Sequence, residues 1–344
     1  MDFLPDDEQL ALTRSAVDLL GKRLGDLRDI ALAPWSARAL LRECAQLGWL
    51  GLGVAEDAGG SGATVVEEAL LFRELGRALA PGPFLATVLA GRVALAGGDN
   101  ALAEQIINGE VMVALAEPSS SAEPGAPLGP NGTSTHRVFD GHDCDLLLLI
   151  DAASAHLVAP PPMSLVPCID ETTTLASASL SASSVRASTR HSEPILRVGQ
   201  VLVSAMLTGI AEATRDMAVE YLNDRQQFGR PIGSFQGLKH QAADMAVEAE
   251  VAASITNYAA LALAEGHENA VHYCLSARIL THRAALANAR TNVQHHGAMG
   301  CTFEHDAHFY VKRTHVLGHL LGGVHAPLVD LFEQPSPFQT GSTP

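Results

Sequence analysis

Asp224-Arg225-Gln226-Gln227-Phe228-Gly229-Arg230-Pro231-Ile232-Gly233-Ser234-Phe235-Gln236 breaks one long helical pattern and begins another. Phe-Gly-Arg-Pro is turn chemistry: glycine supplies positive φ, and proline cannot donate to a ladder. An arginine and two glutamines stand at the break, where a helix end can face an anion. Such a turn between two buried helices suits gripping the phosphates of a cofactor.

Working outward, helical texture fills four long segments, 195–224, 235–265, 268–296 and 304–319, and a four-helix bundle is their natural packing. Before them, from Val111 to about Arg190, the texture differs. VMVALAEP and DLLLLID are apolar runs of strand length, with serine, threonine, glycine and proline crowded between them. Further back, Asp6 and Asp7 precede an apolar helical pattern, residues 38–49 read as a second helix, and GLGVAEDAGGSGAT is a glycine-rich loop. Helices over 65–79 and 84–96 follow it, separated by Pro81 and Pro83. The expected fold is α+β and mainly α. An N-terminal helical domain covers 1–110, a reduced β domain 111–194, a C-terminal four-helix bundle 195–333 and a disordered tail 334–344.

The 344 residues carry a formal charge of −16, which argues against nucleic acid, whose binders need a basic face, and against attachment to a membrane surface. An acidic N-terminus (MDFLPDDEQ) without signal-peptide character, and no uninterrupted apolar run of about 18 residues, lead to the expectation of a cytoplasmic protein. Five scattered cysteines without a CxxC pair read as reduced thiols.

The order helical, β, helical bundle resembles the acyl-CoA dehydrogenases, and four motifs carry the resemblance in the family's order. They are MDFLPDDEQLAL, LRECAQLGWLGLGVAEDAGGSGAT, DRQQFGRPIGSFQGLKHQAADMA and NVQHHGAMGCTFEHDAHFYVKR. In that family FAD sits with its flavin in one subunit and its ADP half against the neighbour's bundle. The resemblance implies that Arg225, Gln227, Phe228, Phe235 and Gln236, with Gln294, His295, Gly297 and Ala298, form the neighbour's contribution. Arg225 would make charge-assisted bonds to pyrophosphate, worth about 1.5–3 kcal/mol each. An acyl-CoA substrate and an electron-transferring flavoprotein as acceptor are implied the same way.

The chain also departs from the family. The carboxylate that removes the α-proton has two usual positions, which correspond here to Leu321 and Gly199. Neither takes a proton, and loss of a general base costs on the order of 10²–10⁴ in rate. No catalytic residue is therefore assigned. The family's Asp-x-x-Arg pair reads Arg197-Val198-Gly199-Gln200, and its TEPxAGSD loop survives only as Ala116-Glu117-Pro118-Ser119-Ser120-Ser121. The β domain reads as several strands short. An intact face toward a neighbour's FAD beside a degraded pocket resembles the shorter subunit of heteromeric acyl-CoA dehydrogenases of actinobacterial steroid side-chain catabolism, which are heterotetramers of two unlike chains. A homomeric enzyme with a relocated base, or a non-enzymatic scaffold of the same fold, are the alternatives. The fifteen histidines, His315 and His319 at i, i+4 among them, fit a structural or surface role, and no metal site is expected.

Overall fold

Asp6 opens the first helix with a capping box. Its carboxylate accepts from the Gln9 backbone at 2.8 Å, and the Gln9 side chain accepts from the Asp6 backbone at 3.1 Å. The computed structural model describes residues 4–32, 37–119, 134–151, 153–181 and 184–334. The N-terminal helices are α1 (Asp7–Arg23), α2 (Leu27–Leu32), α3 (Arg38–Gln46), α4 (Val65–Arg77), α5 (Phe84–Ala96) and α6 (Asn100–Ile107). Seven strands follow: β1 (Val113–Pro118), β2 (Ser134–Phe139), β3 (Leu146–Ile150), β4 (Ala155–Val158), β5 (Ser164–Val166), β6 (Leu175–Leu180) and β7 (Val185–Thr189). Then come α7 (Ser192–Asp224), a two-residue hairpin of β8 (Gln226–Gln227) and β9 (Arg230–Pro231), α8 (Gln236–Ala264), α9 (Ala270–His296), α10 (Ala307–Leu317) and α11 (His325–Glu333).

The chain divides into two compact units, and each is interleaved in sequence. The first comprises residues 25–68 and 81–199 and is built on the seven-stranded sheet, in the order β5-β6-β2-β1-β3-β4-β7. Only β1 and β3 pair in parallel; the other neighbours are antiparallel. β3 is buried along Leu146–Leu149, as a strand covered on both faces requires. Helix α5 has ten buried residues and lies on the sheet, where the Thr87 hydroxyl and the Val113 backbone exchange bonds of 3.2 Å. Under the glycine-rich loop, the buried Glu68 carboxylate accepts from Arg92 at 2.6 Å and from the Gly53 backbone at 3.3 Å. The sheet is fuller than its expected shortened form. β4, β5 and β7 read AHLV, SLV and VRAST, too short or too serine- and alanine-rich to announce themselves as strands. Helices α2, α6 and α11 were likewise unforeseen.

The second unit comprises residues 1–24, 69–80 and 200–344. Here α7, α8, α9 and α10 fall close to the four segments expected from the sequence. The core of this unit is lined with small residues, including Ala211, Ala249, Ala252, Ala284, Ala285 and Ala289. Small side chains let helices approach closely, and buried polar groups fix their register. Asn288 of α9 donates to the Ala211 carbonyl of α7 at 3.0 Å and to Met245 of α8 at 2.9 Å. The Thr208 hydroxyl meets that of Thr256 at 3.0 Å. At the α4–α7 crossing, Gly76 and Gly209 let the backbones touch, and the buried Glu212 carboxylate accepts from Arg73. Two orphan carbonyls at the end of α4 are satisfied from α10: Tyr310 donates to Arg77 at 2.9 Å and Arg313 to Ala80 at 3.1 Å. Helix α7 is 33 residues long and apolar enough to cross a membrane, yet 83% of its most apolar window is buried, as in a core helix. The tail expected to be disordered lies, beyond Gln334, outside the described residues.

Candidate functional site

The opening motif folds as a tight hairpin on the bundle unit. Helix α7 gives way as the Arg225 backbone donates to the Tyr221 carbonyl at 2.9 Å, and the Ile232 backbone donates back to the Arg225 carbonyl at 2.8 Å. Between them, Gln226–Gln227 pairs with Arg230–Pro231, and the two turn residues Phe228 and Gly229 have φ of 54° and 77°. Positive φ at both central positions is the twist of a type I′ turn, which favours Asn-Gly and penalises a bulky first residue. Phe228 takes that conformation and is 89% exposed. Strain of this class costs about 1–3 kcal/mol, so the hairpin does not owe this phenylalanine to folding.

Behind it, Phe235 is held between partners. The Phe228 ring stands edge-on to it at 6.0 Å, and the Arg230 guanidinium lies over its face at 4.1 Å. Such a cation–π contact orients the exposed Arg230 against the half-buried Phe235. Arg225 is exposed, and its guanidinium has no ion-pair or hydrogen-bond partner among the described residues. Gln227 and Gln236 are exposed as well.

The second motif lies at the end of α9. The Tyr221 ring, at the root of the hairpin, packs 4.2 Å from His296, which in turn packs 4.2 Å from His305. That contact brings the two motifs, some seventy residues apart in sequence, to one end of the unit. Gln294, Gly297 and Ala298 are exposed there. Gly297 ends α9 at φ 62°, ψ −137°, a region closed to residues with a Cβ, although the space around it is open. His295 points the other way: it is buried and its Nε2 meets the Gln241 amide oxygen at 2.9 Å. Burial holds the His295 and His296 imidazoles below the usual range, so both are neutral near pH 7 and supply no charge to an anion. Arg225 and Arg230, both exposed, carry positive charge in the hairpin.

At the family's base positions, Leu321 is buried at φ 54° and is followed by Gly322 and Gly323, also left-handed. Arg278 anchors the turn by donating to the Leu317 carbonyl at 2.6 Å and to Leu320 at 3.1 Å. The backbone device is complete, and its side chain is hydrocarbon. Gly199 lies within α7. Two glutamates are candidates for a relocated base: Glu193 is paired with Arg197 at 2.9 Å, and Glu304 is exposed. Among the described residues no three His, Cys, Asp or Glu side chains gather as a metal site. Sequence reasoning missed Tyr221, Gln241 and the Arg230–Phe235 contact. Arg230, Phe235 and Gln241 lay within a quoted motif and Tyr221 did not; nothing in the spacing marked the contacts they make.

Residues 6–109 match the family model of the acyl-CoA dehydrogenase N-terminal domain, and residues 192–323 match that of the C-terminal domain. The chain belongs to the acyl-CoA dehydrogenase family. It is 35% identical over 298 residues to the acyl-CoA dehydrogenase FadE34 of Mycobacterium tuberculosis, spanning 83% of this chain but only 40% of that protein. It is 31% identical over 279 residues to the acyl-CoA dehydrogenase IpdE2 of Mycolicibacterium smegmatis, spanning 81% of this chain and 82% of the relative. Among solved structures, the Tcur3481-Tcur3483 steroid acyl-CoA dehydrogenase has a TM-score of 0.84 at 22% identity, covering 95% of this chain and 97% of that one. The ChsE4-ChsE5 complex of Mycobacterium tuberculosis has a TM-score of 0.83 at 23% identity, covering 98% and 100%. At these identities the likeness is one of fold.

Proposed function

We propose that this chain is the base-lacking subunit of a heteromeric acyl-CoA dehydrogenase and completes the FAD site of an unlike, base-bearing partner. One observation carries this: an exposed Arg225, unpaired among the described residues, at the same end of the unit as Gln294 and Gly297, coexists with Leu321 and Gly199 where the base belongs. A scaffold has no use for the first, and a self-sufficient enzyme has no use for the second. The donor set fits the ADP half of FAD. Arg225 would hold the pyrophosphate, Gln294 would meet polar groups of the adenosine half, Phe228 would cover an apolar face, and Gly297 would admit close backbone approach. Bound FAD supplies the hydride acceptor for α,β-desaturation of the acyl-CoA; this chain's residues bind and orient it, and the proton is removed by the partner. An electron-transferring flavoprotein would then reoxidise the flavin. The steroid description of the Tcur3481-Tcur3483 structure supports a steroid-derived acyl group.

The test is purification of the chain alone and together with a base-bearing subunit of its own organism, followed by the flavin absorbance band and an acyl-CoA oxidation assay. Little flavin alone, and FAD at half the number of chains in the complex, is the expected result. Full flavin and turnover by the lone chain would establish the homomeric alternative; no flavin in either preparation would leave the scaffold.

A further inference from the structure

Helix α9 ends on two adjacent histidines that face different neighbours. Successive residues of a helix are turned by about 100°, so His295 meets α8 and His296 meets α7. On the α8 side the Gln241 amide oxygen accepts from His295 Nε2 at 2.9 Å. His295 is buried and its Nδ1 has no hydrogen-bond partner, so among the described residues Gln241 alone holds the ring by a hydrogen bond. On the α7 side the tie is double. The Tyr221 ring packs 4.2 Å from His296, and one turn earlier on both helices the Asn292 amide donates to Met217 Sδ at 3.1 Å. His296 Nδ1 donates to the Asn292 carbonyl at 2.9 Å. His305 packs on the same ring at 4.2 Å and is itself held by the Ala307 backbone, which donates to its Nδ1 at 3.1 Å.

The residues that flank this pair are candidate cofactor contacts. Gln294 precedes it and Gly297 follows it, both exposed. The two helices that hold the pair are the ones the hairpin joins: α7 ends at Asp224, just beyond Tyr221, and α8 begins at Gln236, just before Gln241. The end of α9 is thus clamped to both roots of the turn that carries Arg225. Neither clamp is needed to set the register of the bundle. Asn288, about two turns earlier on α9, already does so by its bonds to the Ala211 carbonyl of α7 and the Met245 carbonyl of α8. What remains for Tyr221 and Gln241 is local placement. A binding constellation has to be held within about 0.5 Å by groups whose own rotamers are locked. Release of either histidine would let Gln294 and Gly297 shift against Arg225.

We infer that Gln241 and Tyr221 are positioning residues of the cofactor half-site, holding His295 and His296 so that Gln294 and Gly297 stand in register with Arg225. This rests on the FAD reading proposed above and adds to it the residues that set its precision. In the assembled complex, Gln241→Met, which keeps the shape and loses the amide, and Tyr221→Leu should each weaken FAD retention by about 2- to 10-fold, the value of one neutral hydrogen bond. Tyr221→Phe keeps the ring on His296 and should hold FAD as the unsubstituted chain does. The lone chain gives a readout independent of FAD. Gln241→Glu sets a carboxylate against His295 Nε2, and the titration of that imidazole, followed by nuclear magnetic resonance, should move to higher pH. FAD retention unchanged by both Gln241→Met and Tyr221→Leu, whatever their effect on melting, would overturn the inference and leave the two contacts a role in stability alone. A His295 titration untouched by Gln241→Glu would overturn it as well, since the two side chains then do not meet. An unsubstituted complex without FAD, in which the lone chain's His295 still responds to Gln241→Glu, defeats the cofactor reading itself and this inference with it.

Discussion

Gly209 is the residue whose substitution the structure prices most directly. A Cβ at Gly209 would stand 2.8 Å from the Arg77 backbone nitrogen and closer still to the Arg73 carbonyl oxygen. Opposite, Gly76 faces the Met206 backbone, its would-be Cβ 2.6 Å from the Met206 Cα. Ordinary van der Waals contact begins at 3.4 Å, so a methyl at Gly209 is at least 0.6 Å too close to backbone that no rotamer change can move. The helices must part, and the parting strains the Arg73–Glu212 pair that bridges them. Overpacking typically costs about 1–3 kcal/mol, and rigid backbone places this site at the upper end. Alanine returns about 1 kcal/mol of helix propensity. The expected net loss for Gly209→Ala is therefore about 2 kcal/mol. Chemical denaturation followed by far-UV circular dichroism measures it, with Gly21→Ala as the internal control. Gly21 lies in α1 with nothing within 4 Å of its would-be Cβ, and alanine there should be neutral or stabilising by up to about 1 kcal/mol. A Gly209→Ala midpoint equal to or above that of Gly21→Ala would refute the claim that the two backbones meet at this crossing.

Three further outcomes are expected. Arg225→Ala in the assembled complex should weaken FAD retention by about 10- to 150-fold, the equivalent of one charge-assisted contact of 1.5–3 kcal/mol, while leaving the melting of the lone chain unchanged. Gly297→Ala should lower the melting temperature, because its backbone conformation costs a Cβ-bearing residue about 1–3 kcal/mol despite the open space around it. His282 is pushed down to about 4 by burial and by the positive charge of Arg278. Its unfolded form binds a proton near pH 6.5, so its contribution is complete above that pH and is lost as the pH falls toward 4. Melting temperature against pH should therefore fall less steeply over that window in His282→Asn than in the unsubstituted chain.

The helices that carry the candidate face were legible because each is long and strongly patterned. α7, α8 and α9 run for 33, 29 and 27 residues. Their breaks are marked by Phe-Gly-Arg-Pro and by Gly297, residues whose backbone demands are local. The sheet was less legible. Its pairing, such as Leu115 with Phe139 and Val113 with Leu146, is set by partners distant in sequence, and strands of three to five small residues carry too little pattern to declare it. Leu321 and Gly199 could be read as absences from the sequence, since a missing carboxylate shows in any alphabet. The roles of Tyr221 and Gln241 could not. A ring packed on His296 and an amide facing His295 are facts of side-chain placement across helices, with no local spacing to signal them.

The strained, exposed phenylalanine at the hairpin tip has a consequence for the life of the protein before assembly. Phe228 holds an unfavourable backbone state and an unburied ring at the same point, and a covering surface relieves the second. In the heteromer proposed above, a copy that has not met its partner would carry a visible mark of being alone, in the form of a hydrophobic tip open to chaperones, proteases and other orphan copies. Assembly would erase that mark. Accumulation of this chain would then follow the supply of its partner, with stoichiometry enforced by a single turn.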